Sequence, residues 1–231
     1  RKNKNKVLSF YLQMLEYAFS HEYLENDADY RKCKSEIVMI SSTEQDDVVQ
    51  EREVLTSQQC EALVSAICDA HDKMITMLML QTGLRFGEAV VVRVCDFDFA
   101  KMELSVSRTS SVDEYGQRKE YNRTKTRLGQ RTIPLCEEFA LIVASYCKAF
   151  SYKGSDLLFP SPEDGERMIP MEGSAYRRRL SRYCAQAGVP HISPHSLRRT
   201  FCTNLSEKCV TDADRIARSY IMGHSVAVDN R

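Results

Sequence analysis

The side chains of this sequence that are best suited to chemistry are basic residues within four short motifs. The motifs read TGLRFGE, NRTKTRLGQRTIPL, PHSLRRT and IMGHS, and they hold Arg85, Lys125, His195 with Arg198, and His224. Arginines can bind both non-bridging oxygens of a phosphodiester and neutralise the charge that builds up in a pentacoordinate transition state. A lysine can deliver a proton to a leaving alkoxide, and a histidine can take the proton of an incoming hydroxyl. No clustered carboxylates accompany these residues, so the sequence predicts phosphoryl transfer without a metal ion or another cofactor.

Helical spacing brings some of these residues together. His195 and Arg198 are three positions apart and therefore lie on one face of a single helical turn. Glu88 follows Arg85 by three positions, where its carboxylate could support the guanidinium. Taken singly, each basic residue has an ordinary explanation as a helix cap, a solvated charge or half of an ion pair. It is the combination of the four motifs that predicts a site.

The elements that must position these motifs are mainly helices. Apolar residues at helical spacing predict an amphipathic helix from Val7 to Leu24, and a capping box formed by Thr56 and Gln59 predicts the start of another. The run KMITMLMLQTG predicts a buried helix that ends at Gly83. RFGEAVVVRV favours a short helix, although its valines leave a strand possible. CEEFALIVASYCKAF, SAYRRRLSRYCAQAG and PHSLRRTFCTNLSEK predict three further helices, the last opened by Pro194.

A small sheet is predicted between these helices. From Met102 the pattern changes to period two, and MELSVSRTSS, KEYNRTKT and QRTIPL fit three short antiparallel strands with a turn at DEYG. Lys125 then lies near the tip of a strand pair. The fold class is α+β, a mainly helical domain with a small three-stranded antiparallel sheet.

The chain is expected to divide near Val54. Residues 44–53 hold five acids and one base, which is typical of a linker. A chain of 231 residues suffices for one ordinary domain and part of another. We therefore expect residues 1–53 to be the remnant of a helical domain plus a linker, and residues 54–231 to form the domain that carries the motifs.

Positive charge is concentrated in two segments, although the formal net charge is zero. Residues 115–135 hold six basic residues and one acid, and residues 174–200 hold six arginines and no acid. Clustered charge can follow a phosphate backbone whatever the whole-chain sum, because counterion release depends on local contacts. Ordinary solvated surface charge explains either segment equally well when it is considered alone.

The composition is that of a globular protein, with 43% apolar and 28% charged residues, and no apolar run approaches the roughly 18 residues that span a bilayer. The cysteines form no CxxC pair and no metal-ligand cluster with histidine, so we expect reduced thiols in an intracellular protein, mostly in its core. A secreted disulfide framework is the alternative. We assign no chemistry to His71 and His191. The nine cysteines are at positions 33, 60, 68, 95, 136, 147, 184, 202 and 209.

In their order and context, TGLRFGE, the lysine of NRTKT before RTIPL, HSLRRT and MGH resemble the motif boxes of the tyrosine recombinase, or phage integrase, family. The resemblance runs from Val54 to His224, most of the chain. HxLRRT followed by GH at this distance is a specific signal, whereas TGLRxxE alone is weaker.

The resemblance implies a role for each matching residue. Arg85 and Arg198 would bind the scissile phosphate, and Lys125 would be the general acid for the 5′ oxygen. His195 would assist proton transfer at the nucleophile, and His224 would hydrogen-bond the phosphate or the leaving group.

The resemblance also implies the reaction, with Glu88 supporting the first arginine. In the family a tyrosine attacks a phosphodiester to give a 3′-phosphotyrosine, which a 5′-hydroxyl then resolves without ATP. That tyrosine is expected shortly after Arg231, so residues 1–231 alone are expected to bind DNA weakly and not to cleave it. Tyr220 precedes His224 and is expected to pack in the core.

The partners follow from the same resemblance. Val7–Leu24 would be the last helix of a core-binding domain that grips double-stranded DNA opposite the catalytic domain. The family recombines DNA as a tetramer of four protomers, whereas residues 1–231 alone are expected to be monomeric, in the cytoplasm and away from membranes. The residues expected to contact DNA are Arg118, Lys119, Arg123, Arg127, Arg131, Arg177, Arg178 and Arg179.

Three functions fit these observations. The first is a site-specific recombinase (integrase) of a mobile element, a phage genome or a chromosome-dimer site. The second is a type IB topoisomerase, which shares the chemistry but only relaxes DNA, and the third is a non-catalytic DNA-binding relative. HxLRRT together with MGH favours the recombinase, and Lys125 favours catalysis, because a pure binder has no chemical need for a general acid.

Overall fold

The computed structural model describes residues 2–23, 26–37, 54–112, 118–121, 130–162 and 164–223. The chain separates into two compact units, Arg1–Glu51 and Arg52–Arg231. Among the described residues, no helix is long and apolar enough to cross a membrane.

The first unit contains two helices, α1 (Lys2–Ser20) and α2 (Asp27–Glu36). α1 corresponds to the helix predicted from Val7, but it begins five residues earlier. α2 was not predicted, and it begins where the Asn26 side chain accepts a hydrogen bond from the Ala28 N–H at 2.9 Å. The two helices contact each other where the rings of Phe19 and Tyr30 stack at 4.2 Å. The predicted linker, residues 44–53, lies outside the described residues.

The second unit is built mainly from helices, and the predicted helix boundaries hold well. Thr56 and Gln59 form the predicted capping box, Gly83 ends the buried helix in the left-handed conformation, and Pro194 opens the helix that carries the HSLRRT motif. RFGEAVVVRV forms only one helical turn, after which Val90, Val91 and Val92 are buried. The helices are α3 (Ser57–Ala66), α4 (Ala70–Thr82), α5 (Phe86–Ala89), α6 (Glu137–Ala149), α7 (Gly173–Ala187), α8 (Pro194–Lys208) and α9 (Asp212–Met222).

The strands are β1 (Phe97–Asp98), β2 (Glu103–Val106), β3 (Thr109–Val112), β4 (Arg118–Tyr121) and β5 (Arg131–Pro134). A small three-stranded antiparallel sheet is present, in the order β1-β2-β5, and the α+β class is confirmed, although β1 was not predicted. Its strands differ from those predicted, because MELSVSRTSS divides into β2 and β3. β4 pairs with β3 in a separate two-stranded sheet.

An ionic cluster marks the division between β2 and β3. Arg108, which lies between them, pairs with Asp96 and approaches Glu120 of β4 at 3.4 Å. Arg93 donates to the same Glu120 carboxylate at 2.9 Å. Glu120, the acid of the basic segment 115–135, thus anchors β4 to the rest of the domain. Lys125 lies four residues after the end of β4.

The core surrounds α4, whose Ile75, Leu78 and Met79 are at most 1% exposed. Leu104 of β2 and Ile133 of β5 face each other in the register and close one side of this core. The prediction that the cysteines lie mostly in the core was wrong. All nine are free thiols, but the buried ones are Cys147 and Cys184, whereas the thiols at 33, 68, 95 and 136 are exposed.

Two glycines allow a test of how closely the end of α4 packs. Gly83 and Gly188 both end helices with positive φ, 63° and 65°. A Cβ on Gly83 would lie 2.3 Å from Phe201 Cδ1, whereas a Cβ on Gly188 would meet nothing within 4 Å. We expect Gly188→Ala to lower the free energy of unfolding by about 1 kcal/mol through backbone strain alone. Gly83→Ala should cost about 3 kcal/mol, because overpacking is added to that strain.

Urea unfolding of the two variants and the wild type measures this difference. Equal losses in Gly83→Ala and Gly188→Ala would show that α4 and α8 are not in close contact at this point.

Candidate active site

Arg85 combines a fixed backbone with an accessible guanidinium. It follows the left-handed turn at Gly83 and caps α5. Its Nη1 donates to Glu88 Oε1 at 3.0 Å and its backbone N–H donates to Glu88 Oε2 at 2.9 Å, so the predicted contact is present. The Arg85 side chain is still 47% exposed. An anion from solvent can therefore reach a guanidinium whose position is already set.

Glu88 is a buried carboxylate, 2% exposed, surrounded by positive charge. Burial acts to raise its pKa, but hydrogen bonds and the charge of Arg131, together with those of Arg85, outweigh burial and lower the pKa of Glu88 below its ordinary value. Glu88 is therefore ionised at neutral pH.

The prediction that Arg131 contacts DNA was wrong. Its side chain is 0% exposed, and its guanidinium donates to both carboxylate oxygens of Glu88, at 3.2 and 2.9 Å. Its Nε donates to the Ile221 carbonyl at 2.6 Å. Arg131 is thus part of the support beneath Arg85 and has no surface from which to reach a phosphate backbone.

Arg198 lies in the interior of the same region, 3% exposed. Its Nη1 donates to the Gly83 carbonyl and its Nη2 to the Met222 carbonyl, each at 2.6 Å. Burial, followed by the charge of Arg85, lowers the pKa of Arg198 to about 10, which leaves it protonated at pH 7. Arg198 joins the end of α4, which leads into Arg85, to the end of α9.

His195 is exposed in the first turn of α8. Partial burial, with the charges of Arg199, Arg198 and Arg85, lowers the pKa of His195 below 6.5. The imidazole is therefore neutral at pH 7, the form that can accept a proton. His195 lies three residues before Arg198 on α8, and Arg198 in turn contacts the Gly83 carbonyl at the end of α4, two residues before Arg85.

Other predicted residues have different outcomes. Lys125, His224, Arg123 and Arg127 lie outside the described residues. Arg118 and Lys119 belong to β4, but their side chains are outside the described part of the structure.

Arg177 and Arg178 are exposed on α7, beside an open pocket of about 720 Å³ that Arg182 and His191 also line. These exposed arginines are free to meet an anionic partner.

Arg179 lines the same pocket, with its side chain 26% exposed, and it also has a structural contact. Its Nε and Nη2 donate to both oxygens of Asp72, at 2.6 and 2.9 Å, and Asp72 is 1% exposed. Tyr183 donates its hydroxyl to the same carboxylate at 3.0 Å. Arg179 therefore neutralises a buried acid of α4 and connects α7 to the core.

The expectation that Tyr220 packs in the core was also wrong. The side chain is 52% exposed on α9, and its hydroxyl accepts a long hydrogen bond from the Thr132 N–H at 3.4 Å. His71 contacts the Tyr146 hydroxyl and packs on the Phe150 ring at 4.6 Å, an ordinary structural environment. Within the described ranges, no three His, Cys, Asp or Glu residues are grouped to hold a metal ion.

Comparison with known sequences identifies the family. The profile of the phage integrase family matches residues 53–227, about three quarters of the chain. The chain belongs to the phage integrase family. The resemblance seen in the four motifs is thereby confirmed.

Two relatives show how far the similarity extends. The transposase from transposon Tn916 of Enterococcus faecalis is 30% identical, over 78% of this chain and 47% of that protein. A tyrosine recombinase XerC-like protein of Caldanaerobacter subterraneus subsp. tengcongensis is 25% identical, over 95% of this chain and 59% of that protein. The chain spans about half the length of the curated relatives it matches.

Solved structures agree with this family. The Tn1549 transposon integrase, in complex with circular intermediate DNA, is 25% identical with a TM-score of 0.63, over 83% of this chain and 63% of that chain. XerA recombinase shares the fold at 21% identity, with a TM-score of 0.56 over 75% of this chain and 57% of that one.

The ionised state of Glu88 leads to a pH-dependent prediction. Glu88→Gln keeps the shape but removes the charge, and we expect it to lower the free energy of unfolding by about 3 kcal/mol at pH 7. The folded-state pKa of Glu88 is lowered, so the wild type loses this advantage as pH falls below the ordinary value of 4.5. The difference between the two proteins should therefore narrow on acidification.

Urea unfolding at about pH 6 and about pH 3 measures this narrowing. Glu207→Gln, which changes an exposed acid of α8, is the control and should not show it. A Glu88→Gln difference that stays constant between the two pH values would mean that Glu88 is not held ionised by its arginines.

Proposed function

We propose that the protein containing this chain is a site-specific DNA recombinase, an integrase that cleaves and rejoins DNA through a 3′-phosphotyrosine intermediate. The observation that carries the proposal is the half-exposed Arg85 guanidinium, anchored to buried Glu88, with the exposed imidazole of His195 one helical turn from Arg198. An incoming phosphate would meet positive charge at Arg85, and the neutral imidazole of His195 would serve as the proton acceptor.

Each described residue has a part in this chemistry. Arg85, with Arg198 behind it, binds the scissile phosphate and offsets the negative charge that grows as the tyrosine oxygen attacks. His195 is neutral at pH 7 and can assist removal of the tyrosine proton. Glu88 limits the mutual repulsion of the arginines without blocking the exposed side of Arg85.

We assign the leaving-group chemistry to Lys125 and His224 on their motif positions. Lys125 donates a proton to the 5′ oxygen as the P–O bond breaks, and His224 hydrogen-bonds the phosphate or the leaving group. The anchoring of β4 through Glu120 supports the first assignment, because it fixes one end of the short segment that carries Lys125.

Double-stranded DNA is the proposed partner. Relatives in complex with DNA support it, among them the Tn1549 integrase with circular intermediate DNA. On this chain we assign phosphate contacts to Arg118, Lys119, Arg123 and Arg127, and to the exposed pair Arg177 and Arg178. The first unit is proposed to be the end of a core-binding domain. Four protomers are proposed to act together on two duplexes, in the cytoplasm, where the DNA is.

Trapping the covalent intermediate tests the function. Full-length protein is incubated with a nicked duplex that carries its binding site, selected from a random-sequence library, so that the short cleaved strand diffuses away. A protein–DNA adduct resistant to denaturant, with the DNA attached through its 3′ phosphate to a tyrosine, is expected. If no adduct forms, the protein is a non-catalytic DNA-binding relative. If it relaxes supercoiled plasmids whatever their sequence, a topoisomerase is favoured.

A sulfur-substituted substrate tests the role of Lys125. Lys125→Ala should slow cleavage of an ordinary duplex by roughly 10² to 10⁴-fold, the usual contribution of general acid catalysis. A duplex with sulfur in place of the 5′ bridging oxygen has a leaving group that needs no proton, so Lys125→Ala should cleave it almost as fast as the wild type does.

Arg85→Ala is the control for this experiment, because loss of phosphate binding by its exposed guanidinium should slow both substrates alike. If Lys125→Ala remains equally slow on the sulfur-substituted duplex, the general acid is another residue.

A further inference from the structure

We propose that Arg131 is a positioning residue for DNA cleavage, which acts through Glu88 and the last turn of α9 and does not touch DNA. The inference deepens the recombinase function proposed above and rests on it. No motif assigns this role to Arg131, which the sequence alone places among the surface charges of a basic segment.

Arg131 contacts Glu88 from the interior of the domain. Arg131 stands at the start of β5, and its side chain is 0% exposed. It donates one hydrogen bond to each carboxylate oxygen of Glu88, and Arg85 donates two more to the same carboxylate, one from its guanidinium and one from its backbone N–H. Arg131 thus fixes the Glu88 carboxylate, and that carboxylate orients Arg85.

Arg131 also contacts the end of α9. Arg131 Nε donates to the Ile221 carbonyl at 2.6 Å, and Arg198 Nη2 donates to the carbonyl of the next residue, Met222, at 2.6 Å. Carbonyls in the last turn of a helix lack an intrahelical partner and carry the negative end of the helix dipole. Two arginines of the site therefore hold two successive carbonyls at the end of α9.

Arg131 thereby connects two segments that are far apart in sequence. One is α5, which begins beside Arg85, and the other is the end of α9, which is followed after one glycine by His224. The hydrogen bonds to both segments come from the one rigid, planar guanidinium of Arg131. A shift of roughly 1 Å in a catalytic group can cost about 100-fold in rate, so loss of this connection is expected to slow the chemistry.

Lysine at this position would keep the charge and lose the geometry. The Arg131 guanidinium directs N–H groups at three acceptors, the two oxygens of Glu88 and the carbonyl of Ile221. A lysine ammonium places all its donors on one nitrogen and cannot span that set. Arg131→Lys therefore tests the hydrogen-bond geometry of the guanidinium while the positive charge is kept.

The experiment compares Arg131→Lys in the full-length protein with a matched arginine elsewhere. Arg167→Lys is the control, because Arg167 Nη1 also contacts a carboxylate, that of Asp156, and a backbone carbonyl, that of Ser151, each at 3.4 Å. The measurements are the single-turnover cleavage rate at saturating protein, the salt dependence of DNA affinity, and amide hydrogen exchange in α9. Circular dichroism gives the folded fraction, by which each rate is divided.

We expect Arg131→Lys to slow cleavage by roughly 10- to 100-fold. DNA affinity should change by less than about twofold with the same salt slope, because no phosphate contact is lost. Amides in the last turn of α9 should exchange faster, and Arg167→Lys should show none of these changes.

Two results would overturn the proposal. One is a weaker DNA complex whose salt slope falls by about one, which would make Arg131 a phosphate contact. The other is unchanged cleavage in Arg131→Lys, or equal slowing in Arg167→Lys. If the wild type forms no covalent adduct, the recombinase function itself is refuted. Amide hydrogen exchange in α9 then decides whether Arg131 positions the end of that helix. Faster exchange in Arg131→Lys supports it, and unchanged exchange overturns it.

Discussion

A site that binds a phosphodiester without a metal needs several positive charges in a small volume, and these charges repel one another in the free protein. In this chain the buried carboxylate of Glu88 opposes that repulsion, because Arg85 and Arg131 both donate to it and Arg198 lies within its field. A buried charge is costly unless it is paired and hydrogen-bonded, and four hydrogen bonds from two arginines meet that condition. The remaining geometry of the site follows from keeping this carboxylate in place.

The fold meets this requirement by bringing helix ends together. α4 ends at Gly83 and α9 at Gly223, both in the left-handed conformation, and Arg198 of α8 bonds to a carbonyl at the end of each. A Cβ on Gly83 would overlap the ring of Phe201, also from α8. Polar backbone groups that helices cannot satisfy internally become the anchors of the arginine cluster. The same side chains therefore stabilise the domain and hold Arg85 in position.

Much of this arrangement could be predicted from the sequence, since capping residues and apolar periodicity are local signals. Thr56, Gly83 and Pro194 mark helix boundaries that the structure confirms. α2 was missed because DADYRKCKSE has no apolar periodicity, although Asn26 was an available cap signal. The pairing of strands depends on contacts distant in sequence, so the division of MELSVSRTSS was not predictable from its alternation alone.

The positions of the charged residues were harder to predict. A run of basic residues taken as a whole suggests an exposed surface, although single members of the run can be buried. Alternation along β5 offered a correction, since Arg131 lies two residues before the buried Ile133 and so shares its inward face. Arg179 lies three residues after the buried Tyr176 and faces the core for the analogous helical reason. What neither pattern could supply was the partner acid, Glu88 or Asp72, which only the folded chain brings into contact.

A double-mutant cycle on the rate of DNA cleavage tests most directly whether the site works as one unit around Glu88. Single-turnover rates are measured for the full-length wild type, Glu88→Gln, Arg131→Lys and the double variant. If Arg131 acts through Glu88, the double variant should be little slower than the slower single variant. Losses that multiply, so that the double variant is slowed by the product of the two single effects, would show that the two residues act independently and would contradict the central role of this carboxylate.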